Sequence, residues 1–64
     1  MKIAVIGAGR MGALRTEDLV KVGADVTVFN RNLEGAKTLA NNFKCHYDDM
    51  AQFKNDDFDG YVVA

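Results

Sequence analysis

Three glycines, one arginine and an adjacent cysteine and histidine are the residues here whose types and spacing could do chemistry. Gly7, Gly9 and Gly12 stand at G-x-G-x-x-G spacing within Ile3-Ala4-Val5-Ile6-Gly7-Ala8-Gly9-Arg10-Met11-Gly12. A continuous apolar run precedes them, and a breaker-free segment from Arg10 to Val22 follows, so the glycines join a strand to a helix. Each has a separate task at such a turn. Gly7 permits the tight bend, Gly9 lets a bulky anion approach the backbone, and Gly12 lets the helix pack closely on the strand. With Ala8 completing the turn, the amides of Arg10 and Met11 point from the helix start toward a phosphate. The whole is a grip for the pyrophosphate of a dinucleotide. The competing reading is a glycine turn that serves packing alone. No Gly-Lys-Ser/Thr follows, which argues against a P-loop and nucleotide hydrolysis.

A second group lies at the end of the next β-branched run, where Val26-Thr27-Val28-Phe29 leads into Asn30-Arg31-Asn32. A free ribose 2′-hydroxyl is usually met there by Asp or Glu, which repels a 2′-phosphate. This chain has no carboxylate there until Glu34. Arg31 can form a charge-assisted pair with phosphate, of order 1.5–3 kcal/mol, and its guanidinium can stack on adenine. The sequence therefore favours NADP over NAD, with Asn30, Arg31 and Asn32 joining Gly7 to Gly12 as the cofactor-binding set. The plainer alternative is a solvated arginine beside a helix-capping Asn32.

Cys45 and His46 invite a metal or nucleophile reading. Neighbours on a strand point to opposite faces, and the chain has one cysteine and one histidine in all, so structural or surface roles are expected. Asp48, Asp49, Asp56, Asp57 and Asp59 do not have the spacing of a calcium loop and read as caps and solvated loop residues. No catalytic or metal-binding residue is assigned.

The elements that must position these groups alternate in type. Gly12, Ala13, Thr16, Leu19 and Val20 share one arc of the first helix, where the Thr16 hydroxyl can return to a carbonyl one turn earlier. Gly23 ends that helix. Asn32 caps a second helix from Leu33 to about Asn42, with Ala36, Leu39, Ala40 and Phe43 on its apolar side. Lys44 to Tyr47 is a short third strand. Asp48 or Asp49 caps a brief helix carrying Met50 and Phe53, and Asn55-Asp56-Asp57 reads as a loop. Tyr61-Val62-Val63-Ala64 begins a fourth strand. The fold class is α/β, a partial Rossmann fold with parallel strands in the order 3-2-1-4 and helices on both faces.

Composition narrows the setting. A chain of 64 residues with formal net charge −1 offers no basic footprint for nucleic acid. One cysteine fits a reducing, cytoplasmic compartment. Lys2 followed by Ile3 to Gly9 imitates a secretory signal, but Arg10 breaks the apolar run at once, and no membrane-spanning stretch follows. A fourth strand with no following neighbour implies that residues 1–64 are the N-terminal part of a larger dinucleotide-binding domain. It also leaves an apolar strand edge through which two copies are expected to associate, the alternative being that further residues complete the sheet within one chain.

Taken together, residues 3–12, Leu19, Asn30-Arg31-Asn32, Ala36, Leu39-Ala40, Phe43, Tyr47-Asp48 and Asp59 to Ala64 resemble the start of the glucose-fructose oxidoreductase / inositol dehydrogenase family (Gfo/Idh/MocA). Two positions depart from that pattern. Arg15 stands where members often carry histidine, and Asn30 replaces their acidic residue. The Gly-x-Gly-x-Met-Gly turn with an Asn-Arg strand ending is also similar to the β-hydroxyacid and 6-phosphogluconate dehydrogenases. The first resemblance implies an oxidoreductase that exchanges hydride between NAD(P) and a sugar, polyol or related small molecule. Its catalytic residues would lie beyond Ala64. A non-catalytic NAD(P)-sensing module is the alternative from another functional class.

Overall fold

Ala4 and Val5 are completely buried because strand β1 (Lys2–Ile6) has a neighbour on each edge and a cover on each face. The computed structural model describes residues 1–64. From β1 the chain passes through helix α1 (Arg10–Lys21), strand β2 (Asp25–Asn30), helix α2 (Leu33–Phe43), strand β3 (His46–Asp49) and strand β4 (Gly60–Val63). Two 3₁₀ turns, Met50–Gln52 and Asn55–Asp57, connect β3 to β4. The strands form one parallel sheet in the order β3-β2-β1-β4, the order expected from the sequence.

Register decides which side chains share a face. Val5 pairs with Val28, and Val26 lies two residues before Val28, so these three point to one side. There they join Ala36 and Leu39 of α2 in the core, with Ala13, Leu19 and Val20 of α1 packed against them. The opposite side is aromatic. The Phe29 ring meets Phe53 at 5.2 Å and Phe58 at 5.6 Å, both edge-on, and Phe53 lies 5.9 Å from Tyr61. Both α-helices therefore cover one face, while the segment carrying the 3₁₀ turns covers the other. Handedness is the cause. The steps β1 to β2 to β3 run in one direction and place their crossovers on one face, whereas β3 to β4 runs back and crosses on the other.

Three local details differ from expectation. The third strand starts at His46, because Lys44 ends α2 in a left-handed conformation (φ 57°, ψ 47°) and takes the chain out of extended geometry. Residues 55–57 form a 3₁₀ turn, closed by Asp57 N–H to the Lys54 carbonyl and Phe58 N–H to the Asn55 carbonyl. Thr16 is fully buried, yet its Oγ1 has no hydrogen-bond partner, so the return to a carbonyl one turn earlier is not made. Packing holds this side chain. The orphaned hydroxyl costs about 1–3 kcal/mol. No helix is long and apolar enough to cross a membrane.

Candidate cofactor-binding site

The turn after β1 is built by close approach. Gly7 has φ +111°, outside the range most side chains tolerate, and its N–H donates to the Phe29 carbonyl at 2.8 Å, tying the ends of β1 and β2 together. A Cβ at Gly12 would overlap the Gly7 carbonyl oxygen, so only glycine lets α1 start this near the strand. Gly9 differs from both. A Cβ there would meet nothing within 4 Å, which leaves open space above the start of α1.

That helix start carries unused donors. Gly9 is the N-cap and offers no side-chain acceptor, the first turn has no acidic residue, and the first helical bond is Ala13 N–H to the Gly9 carbonyl at 2.9 Å. The amides of Arg10, Met11 and Gly12 have no acceptor within the chain. The start of α2 is the opposite case. Asn32 Oδ1 accepts from the N–H groups of Glu34 at 3.0 Å and Gly35 at 3.4 Å, and Glu34 puts a carboxylate in the first turn. One helix start is therefore closed by the protein and the other is open.

Asn30, Arg31 and Asn32 form the corner between β2 and α2, but they do not act alike. Asn30 Nδ2 donates to the Asn32 carbonyl at 3.0 Å, and that carbonyl also accepts from Gly35 N–H at 3.1 Å and Ala36 N–H at 3.3 Å. The Asn32 side chain serves as the cap expected of it. Arg31, between the two, is exposed and has no salt-bridge partner. Two open clefts flank the glycine turn. One, of about 530 Å³, brings Gly7 together with Asn30, Arg31 and Asn32, and is completed by Ile6, Met50, Val63 and Ala64. The other, of about 550 Å³, runs between α1 and α2 and includes Ala8, Gly9, Arg10, Glu34 and Gly35. Met11 lies on the exposed first turn of α1, and Gly12 is buried beneath it.

Sequence reasoning missed Met50 and Gly35 as cleft residues. In the sequence Met50 shows only as one side of a brief helix, and the available sign for Gly35 is a glycine in the first turn of a helix. Cys45 and His46 separate. Cys45 packs against the core, and burial pushes its thiol pKa up, whereas exposed His46 lies 3.4 Å from Asp25.

A parallel sheet in this order, with a G-x-G-x-x-G turn opening an uncapped helix at its carboxyl end, defines an NAD(P)-binding domain of the oxidoreductase type. Comparison with known proteins gives the family. The model of the shikimate / quinate 5-dehydrogenase family matches residues 1–57, and the chain belongs to that family. Similar proteins include the glutamyl-tRNA reductase of a Picosynechococcus strain, 51% identical over 43 residues, which are 66% of this chain and 10% of the relative. The enzyme of the same name from Exiguobacterium sibiricum is 54% identical over 43 residues, again 66% of this chain and 10% of the relative. The one from Aliarcobacter butzleri is 37% identical over 57 residues, 81% of this chain and 13% of the relative. The chain thus spans about a tenth of the length of these curated relatives. No solved structure matches it.

These findings overturn the resemblance to the Gfo/Idh/MocA family, and the sugar or polyol substrate that it implied is not supported. The reason is visible in the fold. Asp59 to Ala64, one of the segments that carry that resemblance, serves the fourth strand. Asp59 Oδ2 accepts from the Lys2 backbone N–H at 2.7 Å, and residues 60–63 pair with β1. These residues report strand pairing in this sheet.

Proposed function

We propose that this chain is the cofactor-binding portion of an NADP-dependent oxidoreductase. Gly7, Ala8, Gly9, Arg10, Met11 and Gly12 hold the pyrophosphate, and Asn30, Arg31 and Asn32 form the corner that meets the adenosine ribose. The observation that carries this reading is the open start of α1, with free amides on Arg10, Met11 and Gly12 below the empty space at Gly9. Arg31 supports NADP over NAD. It is exposed, lines the same cleft as Gly7, and follows Asn30 at the strand position where a carboxylate would repel a 2′-phosphate. When bound, NADP(H) supplies the hydride exchanged with substrate. The residues of this chain bind and orient it.

For the whole protein, the family and the glutamyl-tRNA reductase relatives favour hydride transfer at a carbonyl carbon. Two substrate classes follow from their names, shikimate or quinate and an aminoacyl-tRNA. Assay of the full-length protein with each class distinguishes them. The cofactor reading is tested by titrating NADP and NAD at equal ionic strength. NADP is expected to bind about tenfold tighter or more, with the advantage lost in Arg31→Ala and reduced by salt. Tighter binding of NAD by the unmodified chain would refute the NADP assignment.

A second observation bears on partners. β4 pairs only with β1, and its exposed Tyr61 and Val63 leave an uncharged edge, whereas the opposite edge strand carries His46, Asp48 and Asp49. We propose that residues 1–64 on their own pair through β4, an edge that a following strand of a longer chain would otherwise cover. Sedimentation at high concentration is expected to show a dimer, and a folded monomer would contradict it.

A further inference from the structure

We infer that Gly35 is a positioning residue for NADP selectivity, acting through Asn30 and Arg31 without touching the ligand; this rests on the reading of Arg31 as the 2′-phosphate partner. Gly35 sits in the first turn of α2 and does not have the positive φ of Gly7 and Gly23, so its backbone conformation does not require glycine. Its neighbours explain it better. A Cβ at this position would lie 3.0 Å from Asn30 Nδ2 and 3.8 Å from Ala8 Cβ. The first distance is closer than ordinary van der Waals contact, and the space glycine leaves is where the Asn30 amide sits. That amide in turn donates to the Asn32 carbonyl at 3.0 Å. The hydrogen bond closes a short loop around Arg31, fixing the backbone on both sides of the arginine.

The consequence of adding a methyl follows from what must yield. The closest atom is the far end of a flexible side chain, while the α2 backbone is held by the Asn32 cap and by the bonds from Gly35 and Ala36 to the Asn32 carbonyl. The Asn30 amide therefore shifts by a few tenths of an ångström, its hydrogen bond to residue 32 is strained, and the corner presenting Arg31 loosens. Helix stability is not the casualty, because alanine is the better helix former.

The test compares the full chain with Gly35→Ala, Asn30→Ala, the double variant and Arg31→Ala, measuring melting temperature and the affinities for NADP and NAD. In Gly35→Ala the melting temperature is expected to stay level or rise, while the NADP-to-NAD affinity ratio falls about fivefold. Adding Gly35→Ala to Asn30→Ala is expected to lower the ratio no further, since both act on the same contact. An unchanged ratio in Gly35→Ala, with Arg31→Ala still lowering it, overturns the inference alone. Parallel loss of melting temperature and of both affinities overturns it in favour of a structural role. An Arg31→Ala variant that keeps the full ratio removes the phosphate reading and this inference with it.

Discussion

A methyl group added at Gly12 and one added at Gly9, three residues apart in one turn, are expected to separate folding from binding. At Gly12 the new Cβ overlaps the Gly7 carbonyl oxygen and lies 2.8 Å from the Gly7 carbonyl carbon. Both atoms are backbone, so no rotamer change relieves the clash, and α1 must shift away from β1. Overpacking of this kind costs about 1–3 kcal/mol, and contact with backbone places Gly12→Ala near the upper end. Up to about 1 kcal/mol returns through the better helix propensity of alanine. The net loss of about 2 kcal/mol corresponds to a drop of about 8–16 °C in melting temperature for a domain of this size. At Gly9 the methyl meets no atom within 4 Å, so Gly9→Ala is expected to melt within about 0.5 kcal/mol of the unmodified protein. The same methyl occupies space assigned to the pyrophosphate, and cofactor affinity is expected to fall about tenfold or more. Circular-dichroism melting and a fluorescence titration with NADPH read the two effects. A Gly12→Ala variant that melts normally would refute the close-approach argument, and a Gly9→Ala variant that binds normally would remove the pyrophosphate from this turn.

Thr16→Val replaces the orphaned buried hydroxyl with a methyl of similar shape. It is expected to raise stability by about 1 kcal/mol in a denaturant titration, and a loss of stability would show that the hydroxyl is satisfied in solution. Asn32→Ala removes the acceptor for the Glu34 and Gly35 amides, and a destabilisation of about 1 kcal/mol is expected in thermal melts. Burial raises the Cys45 thiol pKa, so a disulfide reagent is expected to label it more slowly than an exposed cysteine. Denaturant would abolish the difference. The sign for stability follows. The unfolded chain ionises this thiol first, so stability is expected to decline slightly as pH rises past the ordinary thiol range.

The parts of the fold legible in the sequence are those fixed by short-range pattern. The run Ile3 to Ile6, the glycine spacing, the small residues of α1 and the Asn32 cap are local signals, and each lies where it was expected. The third strand was displaced by two residues, because nothing in its sequence announces that Lys44 adopts a left-handed conformation. The aromatic cover of the second face was not visible. Phe29, Phe53, Phe58 and Tyr61 are distant in sequence and meet only through the crossover from β3 to β4. At the site, residue types singled out Asn30, Arg31 and Asn32 as one group. The structure divides their work, with the asparagines shaping the corner and the arginine left free. The family was not legible, because the glycine turn and the strand-pairing residues that carry the resemblance to Gfo/Idh/MocA serve a parallel sheet of this order in other families too.

An NMR titration of the backbone amides with NADP and then NAD tests cofactor binding at the turn most directly. With both ligands, the largest shifts are expected at Gly9, Arg10, Met11 and Gly12, the open start of α1. The Arg31 side-chain Nε–H is expected to respond to NADP and much less to NAD. Shifts centred instead on the capped start of α2, or around Met1 and Val22 at the far end of the sheet, would contradict phosphate binding at this turn.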